Sequence, residues 1–517
     1  MSTKNRSTNE NLIFGGIWLL FMALTLIAFV SFQSYDSIDY DSSYQFFLVQ
    51  HSWKDMYRLI LEDYSPPLYA VLLKVYSSLL GTSLNTLRAS NLILGGYLYY
   101  LTLFPLRRLT GAKCSALSSV LILCSQYNCY FGHIIRPTYL GYALTTAVFV
   151  YAALSFFDRR TKDVITLAVV ALLSMYSHNV SLIAAFCVYG ILCIFTFIKK
   201  DMAMLKKYLI SGIAIAALYI PWLLVTMKQV DKANSGFWNL RMKIGETMDF
   251  VYSVPFFHRS NVIINLLITL FILMSCIIGP VLLIDRKKLK KATTFKDLGN
   301  IFTDSEAKDR LKKIAFIGLM QIISLIAFYA FSYKLNIQSP RYFYVLTAGG
   351  LIFIAGLMSL GDRKHIVTVI ALIVLPFNMV TNYLFFDRTY NDSEINRLYA
   401  DIGAAGKESE RLYLYHGYET SLGIDSYMFP KAVHLVDKET YTVLPTFDVF
   451  TTDVRYIDDG SDPFDMCDEI FIVTYNPFFF PMDPSEYNCE ELGVYKIPYA
   501  GTETGNIDIY AYRVTPA

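Results

Sequence analysis

The sequence is dominated by stretches of about twenty consecutive apolar residues, the length that carries an α-helix across the hydrocarbon of a bilayer. They fall near 12–32, 89–106, 114–131, 139–157, 163–178, 180–198, 208–227, 261–284, 314–333, 341–360 and 365–386. A lipid-exposed backbone has to satisfy its own hydrogen bonds, and a helix does so within one segment. The runs therefore predict a polytopic α-helical membrane protein with eleven spans. Composition agrees: 54% hydrophobic and 17% charged residues exclude a water-soluble globule, a fibre or a disordered chain of 517 residues. The 39 tyrosines and 37 phenylalanines fit the aromatic belts of membrane–water boundaries. Membrane lipids are the implied surroundings, and nothing in this balance points to a nucleic-acid partner. The first run follows Lys4 and Arg6 as a signal peptide would, but it is too long and lacks a small-x-small cleavage site, so it is expected to stay as an anchor.

Charge divides the chain. Residues 387–517 carry 9 Lys/Arg against 24 Asp/Glu, while residues 1–386 carry 36 against 19. A basic, apolar body joined to an acidic tail reads as a transmembrane domain over 1–386 followed by a water-soluble domain over 387–517.

One further apolar run, residues 66–80, is only about fifteen long and opens on a double proline. If it does not span and the N-terminus is cytoplasmic, every strong cationic cluster falls inside: Arg107/Arg108/Lys113, Arg159/Arg160/Lys162, Lys199/Lys200/Lys206/Lys207, Arg286 to Lys291, and Arg363/Lys364. If it did span, the clusters at 107–113, 159–162 and 199–207 would move outside. Residues 66–80 are therefore expected to form, with the segment before them, an interfacial helix pair in the first outer loop. The chain is expected in the cell membrane, with the 387–517 domain extracytoplasmic.

The polar residues that stand out then lie on one face. The first outer loop places Asp36, Asp39 and Asp41 just after the first span and continues to Asp63 and Pro66-Pro67-Leu68-Tyr69. A carboxylate there suits either a general base for a hydroxyl or a divalent metal ion; no cofactor is otherwise indicated. The next outer segment holds Arg136-Pro137-Thr138-Tyr139, with a permanently charged fork suited to phosphate or to lipid headgroups. His178-Asn179 interrupts an apolar stretch where a plain turn residue would serve, Pro340-Arg341-Tyr342 tops the tenth span, and Trp238 sits in the 228–260 loop as an interfacial anchor or a sugar-stacking ring. A base and a cation clamp beside the headgroups fit transfer of a group from a lipid phosphate to a hydroxyl.

The order of these motifs resembles the GT-C superfamily of polyprenyl-phosphate-dependent glycosyltransferases, near its protein O-mannosyltransferase and lipid A aminoarabinose transferase branch. The resemblance rests on Asp41-Ser42-Ser43-Tyr44, Ser65-Pro66-Pro67-Leu68-Tyr69, Ile134-Ile135-Arg136-Pro137-Thr138-Tyr139, Ser177-His178-Asn179 and Pro340-Arg341-Tyr342, and it runs from about residue 10 to 386. Three positions depart from it: Ser42 where a second acid is usual, Ser65 where a histidine precedes the prolines, and Ile134 where a glutamate stands two residues before the arginine. The resemblance implies a sugar donor linked through phosphate to a polyprenol, a glycan, lipid or protein acceptor, and inversion at the anomeric carbon. It implies Asp41 as the catalytic base, with Asp39 or Asp63 available for the missing acid. Arg136, His178 and Arg341 then hold the leaving phosphate, and Asp63, Tyr69, Tyr139, Trp238 and Tyr342 are candidate substrate contacts. Two other classes remain open: a transporter or flippase of lipid-linked sugars, which would spread polar residues through the membrane depth, and a catalytically inactive relative that binds a cell-surface partner.

In the acidic tail, Ile395–Ala405 has an amphipathic helical pattern, while 411–415, 432–436, 469–474, 494–497 and 507–514 read as strands of a small α/β domain. Its 475–487 loop is the expected acceptor contact. Cys467 and Cys489 would face an oxidising compartment, where two cysteines can pair. A reporter enzyme fused after Phe386 should be active only when it works outside the cytoplasm; cytoplasmic activity would overturn the expected topology.

Overall fold

The structure, a computed structural model, describes residues 40–233, 262–284, 304–335, 338–360, 365–391, 394–408, 412–416, 426–437, 453–457, 467–474, 487–498 and 506–516, with a few isolated positions elsewhere. The expected first span and the 475–487 loop lie wholly or mostly outside these residues. Contact clustering separates two compact units. One holds residues 65–72 and 88–383; the other holds 30–64, 73–87 and 384–517.

The first unit is helical. Its long helices are α7 (Pro137–Asp158), α8 (Thr161–Ser177), α9 (Asn179–Ile198), α10 (Met202–Ala233), α11 (Val262–Leu282), α12 (Ser305–Leu335) and most of α15 (Ile366–Asn391). Among the described residues four segments are long and apolar enough to cross a membrane: Pro137–Asp158, Asn179–Ile198, Met202–Gln229 and Ser305–Lys334. They make the chain a multi-pass membrane protein, and they share the work unequally. The span in α7 is 89% buried within the protein, whereas that in α10 is 17% buried and turns its apolar side chains outward, where lipid would cover them.

Three apolar runs do not become single α-helices. Residues 84–106 form α4 (Leu84–Leu101) followed by a wide π segment, Thr102–Leu106, around Pro105, which has no N–H to give. The Ser115 hydroxyl bonds the Thr102 carbonyl at 2.5 Å, and Thr102 Oγ1 donates to the Leu98 carbonyl at 3.0 Å, so the loosened turn stays satisfied. The run at 114–131 splits into α5 (Ala112–Leu123) and α6 (Gln126–Phe131). At that break Ser125 Oγ donates to the Ile122 carbonyl and Asn128 Nδ2 to the Leu123 carbonyl. The run at 341–360 splits into α13 (Pro340–Tyr344) and α14 (Ala348–Leu360), with Thr347 Oγ1 bonded to the Tyr344 carbonyl. Irregular backbone at membrane depth is tolerated when side chains take over its hydrogen bonds, as they do here.

At the far end of this bundle Arg108 bridges Asp158 and Asp163, and Arg159 pairs with Asp201. The Lys113 ammonium reaches the Asp362 carbonyl, while the Asp362 carboxylate caps α15 through the Val367 and Thr368 N–H groups.

The second unit carries short helices α1 (Tyr40–Leu48) and α2 (Trp53–Glu62) and most of α3 (Leu68–Leu80) from the first outer loop. Its sheet has the order β3-β2-β1-β4-β6-β5, with β1 Tyr413–His416, β2 Val433–Asp437, β3 Asp453–Ile457, β4 Ile470–Thr474, β5 Tyr487–Pro498 and β6 Asn506–Pro516. β3, β2, β1 and β4 are parallel, β6 runs antiparallel to β4, and the edge strand β5 runs antiparallel to β6. Side chains alternate faces along a strand. Leu414, Phe471 and Ala511 accordingly join a core with Leu398 and Ile402 of α16 (Ile395–Ala405), while Tyr415, Ile470, Ile472 and Tyr512 pack on the opposite face. The expected helix at 395–405 and the five expected strands are present; β3, Asp-Val-Arg-Tyr-Ile, is a sixth that was not expected. Cys489 is exposed, Cys467 packs at the sheet core, and no disulfide joins them.

Helix α14 docks on α12 through missing side chains. A Cβ added to Gly356 would lie 2.5–2.9 Å from three atoms of Ile314, a branched side chain with one favoured rotamer in a helix. Gly356→Ala should therefore cost about 1–3 kcal/mol of stability by overpacking, and the loss should shrink in the Gly356→Ala/Ile314→Ala pair when both are measured by thermal unfolding in detergent.

Candidate functional site

Two proline-marked helix starts and one tight helix junction meet in the first unit. Arg136 is the N-cap residue of α7, held in extended backbone (φ −143°, ψ 149°) because Pro137 restricts the residue before it. His178 closes α8 and opens α9 with a similar backbone (φ −157°, ψ 134°). Arg341 follows Pro340 in α13, whose N-cap is Ser339.

His178 is 7% exposed. Its Nδ1 accepts the Val180 N–H at 3.2 Å, replacing one of the bonds that a helix start lacks. Nδ1 is thereby an acceptor, so a neutral ring carries its proton on Nε2 and offers that atom as a donor. Burial, followed by the charges of Arg341 and Arg136, pushes the His178 pKa down to about 3. Both arginines therefore lie near enough to act on the imidazole, which stays uncharged at neutral pH. Tyr342 meets the imidazole edge to face at 5.7 Å between ring centres, and the Arg341 guanidinium lies 5.3 Å from the Tyr342 ring centre. Gly141 makes the approach of the His178 junction to α7 close, since a Cβ there would lie 2.7 Å from the His178 Cβ. Thr145 and Ser181 hydroxyls bond at 2.8 Å one turn deeper and fix the same two helices.

Two buried asparagines position the arginines, and the sequence singled out neither. Asn91 of α4 donates from Nδ2 to the carbonyls of Gly132 and Ile134, both at 3.0 Å, and so fixes the loop that delivers Arg136. Asn128 Oδ1 accepts the Tyr344 hydroxyl at 3.4 Å, tying the α6 break to the α13 break. Tyr344 is stacked between Phe131 and Tyr142 at 4.8 and 4.2 Å. An asparagine or tyrosine in an apolar run gives no periodic signal; only its position beside a helix break would have marked it.

The remaining candidates are placed as follows. Tyr139 is 3% and Tyr69 4% exposed, both within the helical unit. Asp41 lies in the first turn of α1 and Asp63 at the C-cap of α2, both in the unit that contains the sheet. The Asp41 side chain, Asp39 and Trp238 lie outside the described residues. Among the described residues no group of three His, Cys, Asp or Glu side chains is assembled that could hold a metal ion. Chemically, the Arg136–His178–Arg341 group offers two fixed cations and one neutral N–H donor, at the positive ends of the α7 and α9 dipoles.

No family model matches the sequence, and no curated protein matches it. Solved structures do. ArnT from Cupriavidus metallidurans in the apo state aligns with a TM-score of 0.55 and 11% identity over 96% of this chain and 98% of that one. The same protein bound to undecaprenyl phosphate aligns with a TM-score of 0.52 and 13% identity over 95% and 97%. The chain therefore shares its fold with ArnT along nearly its whole length.

The histidine yields a pH test. Its folded pKa of about 3 lies below the ordinary 6.5, so between those values the unfolded chain binds the extra proton. Stability should then fall as pH is lowered through that window, by up to about 1.4 kcal/mol per pH unit. The thermal midpoint of the wild type should drop more steeply from pH 6.5 to 4.5 than that of His178→Gln; equal slopes would show that the imidazole is not held neutral.

Proposed function

We propose that this chain is a membrane glycosyltransferase that moves a sugar from a polyprenyl-phosphate donor to a hydroxyl acceptor on the non-cytoplasmic face, with inversion at the anomeric carbon. The observation that carries the reading is the Arg136–His178–Arg341 group, in a chain whose fold is that of a protein crystallised with undecaprenyl phosphate.

In this reading the Asp41 carboxylate takes the proton of the acceptor hydroxyl as its oxygen attacks the anomeric carbon. An ordinary carboxylate is already in the base form at neutral pH. The bond between that carbon and the phosphate oxygen breaks, and the phosphodiester leaves as a phosphomonoester with one more negative charge. Arg136 and Arg341 meet this added charge, and His178 donates a hydrogen bond from Nε2 without adding a third cation, an arrangement that stabilises charge as it develops. Asp39 and Asp63 remain candidates for the second acid that Ser42 does not supply. Tyr342, packed on His178, is the candidate for contact with the sugar, with Tyr69, Tyr139 and Trp238 as further ones. The 387–517 domain, extracytoplasmic in this topology, would face a glycan, lipid or protein acceptor.

The reading is tested with the full chain in detergent, labelled polyprenyl-phosphate sugars and a panel of acceptors. Asp41→Asn should lower turnover by about 10²–10⁴-fold, and Arg341→Ala or Arg136→Ala should lower turnover and weaken retention of the polyprenyl-phosphate product. Transfer at the wild-type rate by Asp41→Asn would overturn the assigned base.

A further inference from the structure

The helix that carries Asp41 is gripped from outside itself. α1 is a helix of 9 residues, too short to hold its own direction. Its exit is fixed by Lys74, the one cation in the apolar helix α3, whose Nζ donates to the Val49 carbonyl at 2.6 Å and to the His51 carbonyl at 2.9 Å. A cation at the C-terminal end of a helix meets the negative end of its dipole and the carbonyls that have no intrahelical partner. An ammonium in an otherwise apolar segment is costly unless it finds such acceptors, which gives Lys74 a reason to be there.

The second grip comes from about four hundred residues further along the chain. His51 Nε2 donates to the carbonyl of Val449, a fully buried residue on the connection from β2 to β3, at 2.6 Å. Phe46 of α1 packs edge to face on Tyr427, on the connection from β1 to β2, at 5.2 Å. These contacts lie within the unit that unites the first outer loop with the sheet.

We propose that Lys74 and His51 are positioning residues for Asp41, and that through His51 and Val449 the C-terminal domain sets the direction of the helix that carries it. This rests on the reading of Asp41 as the base. Asp41 lies seven residues before the pinned end, about 10 Å along the axis at 1.5 Å per residue, so a tilt of roughly 5° about that end moves it by about 1 Å. A displacement of that size at a reacting group is enough to cost about 10²-fold in rate. Neither residue touches the substrate in this account; each acts through the direction of α1.

The experiment uses the full chain in detergent with polyprenyl-phosphate sugar and an acceptor that supports turnover. Lys74→Met and His51→Leu should each lower kcat by about 10- to 100-fold while KM for the donor stays within about twofold. His51→Gln, which keeps an N–H donor, and Lys74→Arg, which keeps the cation, should recover most of the rate. In the background of Asp41→Asn, neither Lys74→Met nor His51→Leu should cause a further loss, because residues that act as one unit are not additive. Wild-type kcat in both Lys74→Met and His51→Leu, or losses that multiply with Asp41→Asn, would overturn the proposal while leaving the assigned base intact. Full activity of Asp41→Asn would overturn both. If Lys74→Met does not fold, as judged by its thermal transition, the His51→Leu and His51→Gln comparison decides alone.

Discussion

Hydrocarbon offers no hydrogen bonds, and the whole of the helical unit answers to that fact. Among the described residues, the chain in the apolar region is either a continuous helix or a broken one whose loose ends are met by a hydroxyl or an amide. Ser125, Asn128 and Thr347 do this at the two interrupted runs, and Ser115 does it at the π segment. The interruptions are not scattered. Both broken runs present their polar ends to each other, through Tyr344 and Asn128, beside the loop that carries Arg136 and the short helix that carries Arg341.

The second constraint is electrostatic. Two guanidinium groups close enough to lower the pKa of the same histidine repel each other, and burial magnifies the repulsion by lowering the local dielectric. An imidazole that stays neutral near the two cations avoids a third positive charge and keeps an N–H donor on Nε2, since Nδ1 is committed to the Val180 amide. Two such cations suit an anion, and the proposed donor is accordingly a lipid-linked phosphate rather than a neutral lipid.

The unit that contains the sheet shows a division of labour by periodicity. Alternation of side chains along β1, β4 and β6 supplies two separate cores, one closed by α16 and one by residues on the opposite face. The connections between the parallel strands are left to do other things, and two of them, at Tyr427 and Val449, hold the first outer loop. The acidic tail and the loop after the first expected span are thus parts of one compact body, although the composition of the chain separates them by more than three hundred residues.

Much of this was written in the sequence, and for a physical reason. Apolar runs of the right length leave the backbone one choice, so the helices near 139–157, 163–178 and 180–198 fall within a few residues of their expected bounds. Alternation at 411–415 and the short apolar runs that followed did the same for five strands. Arginine and histidine at the edges of apolar runs were conspicuous because charge there has a cost that chance does not cover, and Arg136, His178 and Arg341 could be picked out before any coordinates. Loop charges and the family resemblance also put them on one face; the contacts that bring them together were hidden, because they depend on how α7, α9 and α13 pack through Gly141, Asn91 and Asn128. The breaks at 124–125 and 345–347 were equally hidden, because hydropathy averages over a window and does not register a single serine or threonine that replaces a backbone hydrogen bond. Local sequence sets what each segment must bury; only tertiary packing sets which polar atoms end up facing one another.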